Sequence, residues 1–163
     1  MTPFIVIAAG VVASVIDLRS RRVPNLLTMP TAVIGVWVAA AGIGTVTVGA
    51  ALAGCLVGLI VMLPLHVLGG TGAGDVKLVA ALGTLLGPMG VLGAILRMGI
   101  AGGVIALVVA VQRGRLQTTL AGTALVLARA DGAAATIESP GANNRFPYAP
   151  AIAIGAAMVA LGW

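Results

Sequence analysis

Apolar residues in this chain run in unbroken blocks rather than on alternating positions. Six blocks stand out, over residues 2–16, 26–43, 48–68, 75–86, 91–111 and 146–163. A membrane β-strand alternates polarity over about ten residues. Continuous runs predict membrane-crossing helices instead, for which about 20 residues are usual and about 17 the lower end. The first block is short by that measure, so its helix is expected to extend past Asp17. It lacks a basic leading segment, and Asp17 and three arginines follow it instead of a small-residue cleavage site, so a signal peptide is not expected. Pro24 biases Val23 away from helix, and Asn25 is placed to cap the second one. Residues 42–47 and Gly87–Gly90 form uncharged turns, punctuated at the latter by glycine and proline. The glycines of 69–74 predict a flexible loop, with the acids on either side of it apart when no ligand is bound. Gly54 with Gly58, and Gly99 with Gly103, have the small-residue spacing that lets helices approach closely. Residues 112–145 are the longest polar stretch; within them 116–130 predicts an interfacial or re-entrant helix. The expected fold is all-α: a polytopic bundle of six transmembrane helices, one membrane-embedded domain over residues 1–163.

Composition supports this reading. The chain is 60% hydrophobic and 8% charged, where a soluble domain carries about 25% charged residues. The net charge of +5 does not point to nucleic acid: the bases sit in short loops, and two Trp, two Phe and one Tyr provide no stacking surface. The loop cations instead set orientation. Arg19, Arg21, Arg22, Lys77, Arg113, Arg115, Arg129 and Arg145 all fall on one side of a six-span arrangement. That side is cytoplasmic by the positive-inside rule, which puts both termini outside. Arg97 alone falls within a span, to face the interior or to snorkel. The single cysteine, Cys55, excludes an intramolecular disulfide and a zinc pattern, and reads as a small packing residue.

Only four Asp and Glu residues occur, and two of them, Asp17 and Asp75, lie at the edges of apolar blocks on the same predicted face. Ionisable groups among membrane segments are costly and point to function. Two carboxylates close together do not both ionise easily; one keeps its proton. Such a pair activates water with its ionised member and polarises a carbonyl with the other, which is peptide hydrolysis without a covalent intermediate. Gly72 and Gly74 permit a sharp turn and a close approach to a substrate strand. The run is not a phosphate loop, which requires Gly-Lys-Ser/Thr where this chain has Gly74-Asp75-Val76-Lys77. Plainer readings stand beside these. Asp75 caps the fourth helix, Asp17 is an interfacial acid balanced by arginines, and His66 is an interfacial or bundle histidine near the site. An ion- or proton-coupled transporter using the two acids is the alternative function, and a non-catalytic assembly subunit a third.

At these residues the sequence resembles the type IV prepilin peptidases, a branch of the Gly-x-Gly-Asp intramembrane aspartic proteases. Gly72-Ala73-Gly74-Asp75-Val76-Lys77 matches the Gly-x-Gly-Asp-x-Lys motif. Asp17 followed by Arg22-Val23-Pro24-Asn25 matches the first motif, with Val23 in place of Ile. Phe146-Pro147-Tyr148-Ala149-Pro150-Ala151-Ile152 resembles the third, at the last helix. The resemblance implies that Asp17 and Asp75 are the catalytic pair, supported by Gly72, Gly74, Lys77, Pro24 and Asn25. Lys77 then positions the loop or tunes Asp75, or else snorkels at the membrane edge. Pro147, Tyr148 and Pro150 shape the last helix. The implied partner is a prepilin or pseudopilin with a basic leader and an apolar helix, cut after a Gly at the cytoplasmic face of a bacterial or archaeal membrane. Membrane lipid is the other expected partner. Larger members add zinc-binding cysteines and N-methyltransferase activity. Neither is expected in residues 1–163, which look like the short peptidase-only form of tight-adherence (Flp) pili, with no cofactor or metal.

Overall fold

The computed structural model describes residues 1–20, 23–68, 70–112 and 148–162. Among them the chain is helical throughout, with no strand. The helices are α1 (Thr2–Ser20), α2 (Asn25–Ala40), α3 (Val48–Val67), α4 (Ala73–Gln112) and α5 (Ala149–Ala160). Three carry spans long and apolar enough to cross a membrane: Thr2–Ser20, Val48–Val67 and Ala73–Ile105. Their outer faces are as apolar as their inner ones, with Phe4, Ile60, Leu96 and Ile100 exposed. Helices apolar all round are either buried in a large core or surrounded by lipid. The described residues leave those faces uncovered, which fits a lipid surround.

The helix count differs from the expected six because blocks four and five form one continuous element. α4 is broken only at Gly87, whose backbone (φ 72°, ψ 178°) is not helical. That region is essentially closed to residues with a Cβ, and Pro88 next to it has no N–H to donate. The break turns the chain back on itself. Gly87 lies beside Val46 in the α2–α3 connection, while Gly102 on the second arm lies beside Tyr148 and Ala151. Val79 and Leu82 of the first arm line one small apolar cavity with Val91, Ala94, Ile95 and Met98 of the second and with Ile152 and Ala156 of α5.

This hairpin is the centre of the bundle. In its most apolar window 61% of positions are buried, against 28% in α1 and 22% in α3. The first arm packs on α3 and the second on α5, which in turn contacts α1. Met62, Leu78, Leu82, Val6 and Val91 are the largest fully buried side chains. The α3–α4 crossing is made by glycine: a Cβ on Gly54 would collide with the Gly83 carbonyl, and one on Gly58 would lie 3.1 Å from Ala80 Cα. Gly99 and Gly103 share the spacing but not the role, since a Cβ on either meets no described atom within 4 Å. The second arm instead meets α5 at Gly155, where a Cβ would lie 2.7 Å from Met98 N.

α1 runs on past Asp17 to Ser20, as expected, while other boundaries move. Asn25 does not cap α2. Extended Pro24 (φ −73°, ψ 147°) holds the cap position, no side chain caps there, and Asn25 is the first helical residue. α4 begins at Ala73, two residues before the expected start, so Asp75 lies within its first turn. α5 has 12 residues, about 18 Å at 1.5 Å per residue, which is short of the hydrocarbon core. The interfacial helix expected at 116–130, together with Phe146 and Pro147, lies outside the described residues.

Candidate active site

Asp17 sits in the last turn of α1 and is 5% exposed; Asp75 sits in the first turn of α4 and is 7% exposed. Each is held the same way. Asp75 Oδ2 accepts the Gly72 N–H at 3.0 Å. Gly72 precedes the helix by one residue, so Asp75 reaches back from the third helical position to an otherwise unpaired donor, one half of a capping box. Asp17 Oδ2 accepts the Ala149 N–H at 3.2 Å. Ala149 opens α5, so its N–H is also one of the donors a helix start leaves without an intrahelical partner. Pro150 fits the next position because it has no N–H to satisfy. Thus two acids on different helices each take one N–H at the positive end of a helix dipole. In each, Oδ1 takes no hydrogen bond from a described residue. Capping and chemistry are therefore not exclusive at Asp75: one oxygen caps and the other takes no bond from a described residue.

The two carboxylates lie within range of each other's charge, and Asp75 also feels His66. The expected flexible loop between α3 and α4 is instead tied down. Gly70 N donates to Leu65 O at 2.8 Å, His66 Nδ1 bonds Thr71 O at 2.8 Å, and Asp75 N donates to Gly72 O at 3.0 Å. Glycine content allowed freedom here, but the end of α3 and the first turn of α4 supply fixed partners.

The first two motifs are stitched together beside the acids. Lys77 is exposed and donates to Asn25 Oδ1 at 2.9 Å. Lys77 thus reaches the start of α2 rather than Asp75, and Asn25 serves as its acceptor rather than as a cap. Gly74 has a close neighbour, but it is internal: a Cβ there would lie 3.0 Å from Val23 O and 3.1 Å from Val23 N. Gly74 lets the Val23–Pro24 segment lie across the start of α4. Half-buried Tyr148 packs against the core at the start of α5. Arg97 Nη1 donates to Gly93 O at 3.2 Å, within its own helix. Among the described residues no three of His, Cys, Asp and Glu come together as a metal site.

Ala149, Thr71 and Val23 contribute to the site, though none is among the candidate site residues of the sequence. Their contributions come from the main chain, so side-chain identity carries no sign of them. The one available signal was Pro150, which marks a helix start and hence unpaired amides nearby.

The described geometry places the acids of the first two motifs within range of each other's charge. A family model, the type IV leader peptidase family, matches residues 4–107, more than half of the chain and a span that includes both acids. The chain belongs to the type IV leader peptidase family. It is accordingly a peptidase with membrane-crossing helices, and the family implies a prepilin as substrate. Membership does not favour the transporter reading. No curated protein and no solved structure matches the chain.

Proposed function

We propose that this protein is a prepilin leader peptidase of the aspartic class. In this reading Asp17 and Asp75 hydrolyse the bond after the leader of an Flp-type prepilin, typically after a Gly, at the cytoplasmic membrane face. The observation that carries it is the arrangement of the acids: both buried, each anchored through Oδ2 to a helix-start amide, each with an Oδ1 that no described residue bonds. Anchoring one oxygen fixes the orientation of the other, which is what positioned acid–base chemistry requires.

One carboxyl carries a proton and the other is ionised. The ionised Oδ1 takes a proton from water as the water oxygen bonds to the scissile carbonyl carbon. The protonated carboxyl gives its proton to the carbonyl oxygen. The tetrahedral intermediate then collapses: its hydroxyl proton returns to one carboxylate, the nitrogen takes a proton from the other, and the C–N bond breaks. No metal or cofactor enters, and N-methylation of the product is not part of this function.

Counting the two arms of α4 separately, the chain crosses the membrane six times. The acids and the loop cations then share the cytoplasmic face and both termini lie outside. Arg19 and Lys77, at the Asp17 and Asp75 ends of their helices, agree with this orientation. Co-expression with an Flp-type prepilin, with leader removal followed by gel shift, tests the proposal. Processing is expected with the wild type and absent with Asp17→Asn or Asp75→Asn. Processing that survives either change sinks the dyad.

A further inference from the structure

The peptide group joining Thr71 to Gly72 is bonded at both ends. Its carbonyl oxygen bonds His66 Nδ1 at 2.8 Å, and its N–H donates to Asp75 Oδ2 at 3.0 Å. A trans peptide points its C=O and N–H in opposite directions. His66 and Asp75 therefore hold this plane from opposite sides, and fixing one bond fixes the direction of the other. Because a carbonyl only accepts, Nδ1 carries the hydrogen.

Nothing else holds the plane as directly. Gly70 and Gly72 flank Thr71, so the torsions on both sides belong to or adjoin the softest residue type. The Thr71 hydroxyl is buried and bonds no described residue, so the side chain does not anchor the residue. Gly70 N is bonded to Leu65 O, but that bond lies one peptide upstream. A flip of the 71–72 plane would turn the Gly72 N–H away from Asp75 and release its Oδ2.

We infer that His66 is a positioning residue of the peptidase, acting through the Thr71–Gly72 peptide to hold the Asp75 carboxylate in its working orientation. This rests on the reading of Asp75 as catalytic.

The test compares His66→Ala, His66→Asn and His66→Gln in the full-length enzyme, with prepilin cleavage resolved into kcat and KM. Asn carries an amide N–H where Nδ1 stands; Gln carries it one bond further out. His66→Ala is expected to lose about five- to tenfold in kcat, the worth of one neutral hydrogen bond, with KM unchanged. His66→Asn should return to within about twofold of wild type, and His66→Gln should not. A second readout does not depend on turnover: hydrogen exchange at the Gly72 amide should quicken in His66→Ala and slow again in His66→Asn. Wild-type kcat in His66→Ala, or equal activity in the Asn and Gln variants, overturns the inference while Asp75→Asn remains inactive. An active Asp75→Asn overturns the catalytic reading itself instead.

Discussion

Gly54→Ala and Gly99→Ala make the same change at the same kind of position, and the structure gives them opposite signs. Both glycines lie inside helices, and each opens a pair of glycines four residues apart. Alanine is the better helix former by about 1 kcal/mol, a gain common to both. At Gly99 the new methyl meets no described atom within 4 Å, so the gain stands. At Gly54 it runs into the Gly83 carbonyl oxygen and lies 2.8 Å from Gly87 C and 2.9 Å from Gly83 C. All three are main-chain atoms, and no side-chain rotation moves them aside. Overpacking costs about 1–3 kcal/mol, and a backbone obstacle belongs in the upper half of that range. Gly54→Ala should therefore lose about 1–2 kcal/mol net and Gly99→Ala gain about 1, a separation of about 2–3 kcal/mol. Reversible unfolding in mixed micelles at rising SDS fraction, followed by helical circular dichroism, measures it. Equal stability of the two variants would refute the close α3–α4 crossing.

Asp17→Asn and Asp75→Asn should each lower prepilin cleavage by about 10²–10⁴-fold. Melting should be little changed, because the Asn carbonyl still accepts from Ala149 or Gly72; a cleavage gel and a melting curve on the same sample check both. Gly74→Val should disrupt processing through the α1–α2 loop, since its side chain occupies the space of the Val23 backbone; unchanged kcat and KM would count against that packing. Gly87→Ala should cost about 1–3 kcal/mol because its φ of 72° and ψ of 178° are barred to alanine, read in the same micelle titration. Lys77→Met and Asn25→Ala remove one and the same bond. The double variant should therefore process no more slowly than the slower single one, and additive losses would show that the two act separately.

The helical class was legible because lipid demands continuous apolar runs, and such runs are visible in the letters alone. The placement of Asp17 and Asp75 at one end followed from the parity of those runs. Other features were not legible. Asn25 read as a cap, since Asn is a good cap residue, yet Pro24 takes that position and Asn25 turns to Lys77, 52 residues away. Gly99 and Gly103 carry the same spacing as Gly54 and Gly58, but spacing does not say which face meets a helix and which meets lipid. The loop before Asp75 read as flexible because glycine permits freedom; whether that freedom is used depends on partners such as His66 and Leu65. The anchors of both acids are backbone amides, which every residue but proline has, so the letters name neither donor and only Pro150 hints at a helix start near one of them.

The two amide anchors differ in when they become available. Asp75 finds its donor three residues upstream, so its anchor forms with the first turn of α4. Asp17 is synthesised well before its donor, since Ala149 lies 132 residues further on. During biogenesis the first acid enters the membrane long before its partner exists. A nascent chain, or one clipped ahead of α5, contains both aspartates but not the finished site. On the proposed reading of the two acids, proteolytic competence therefore waits until α5 has docked.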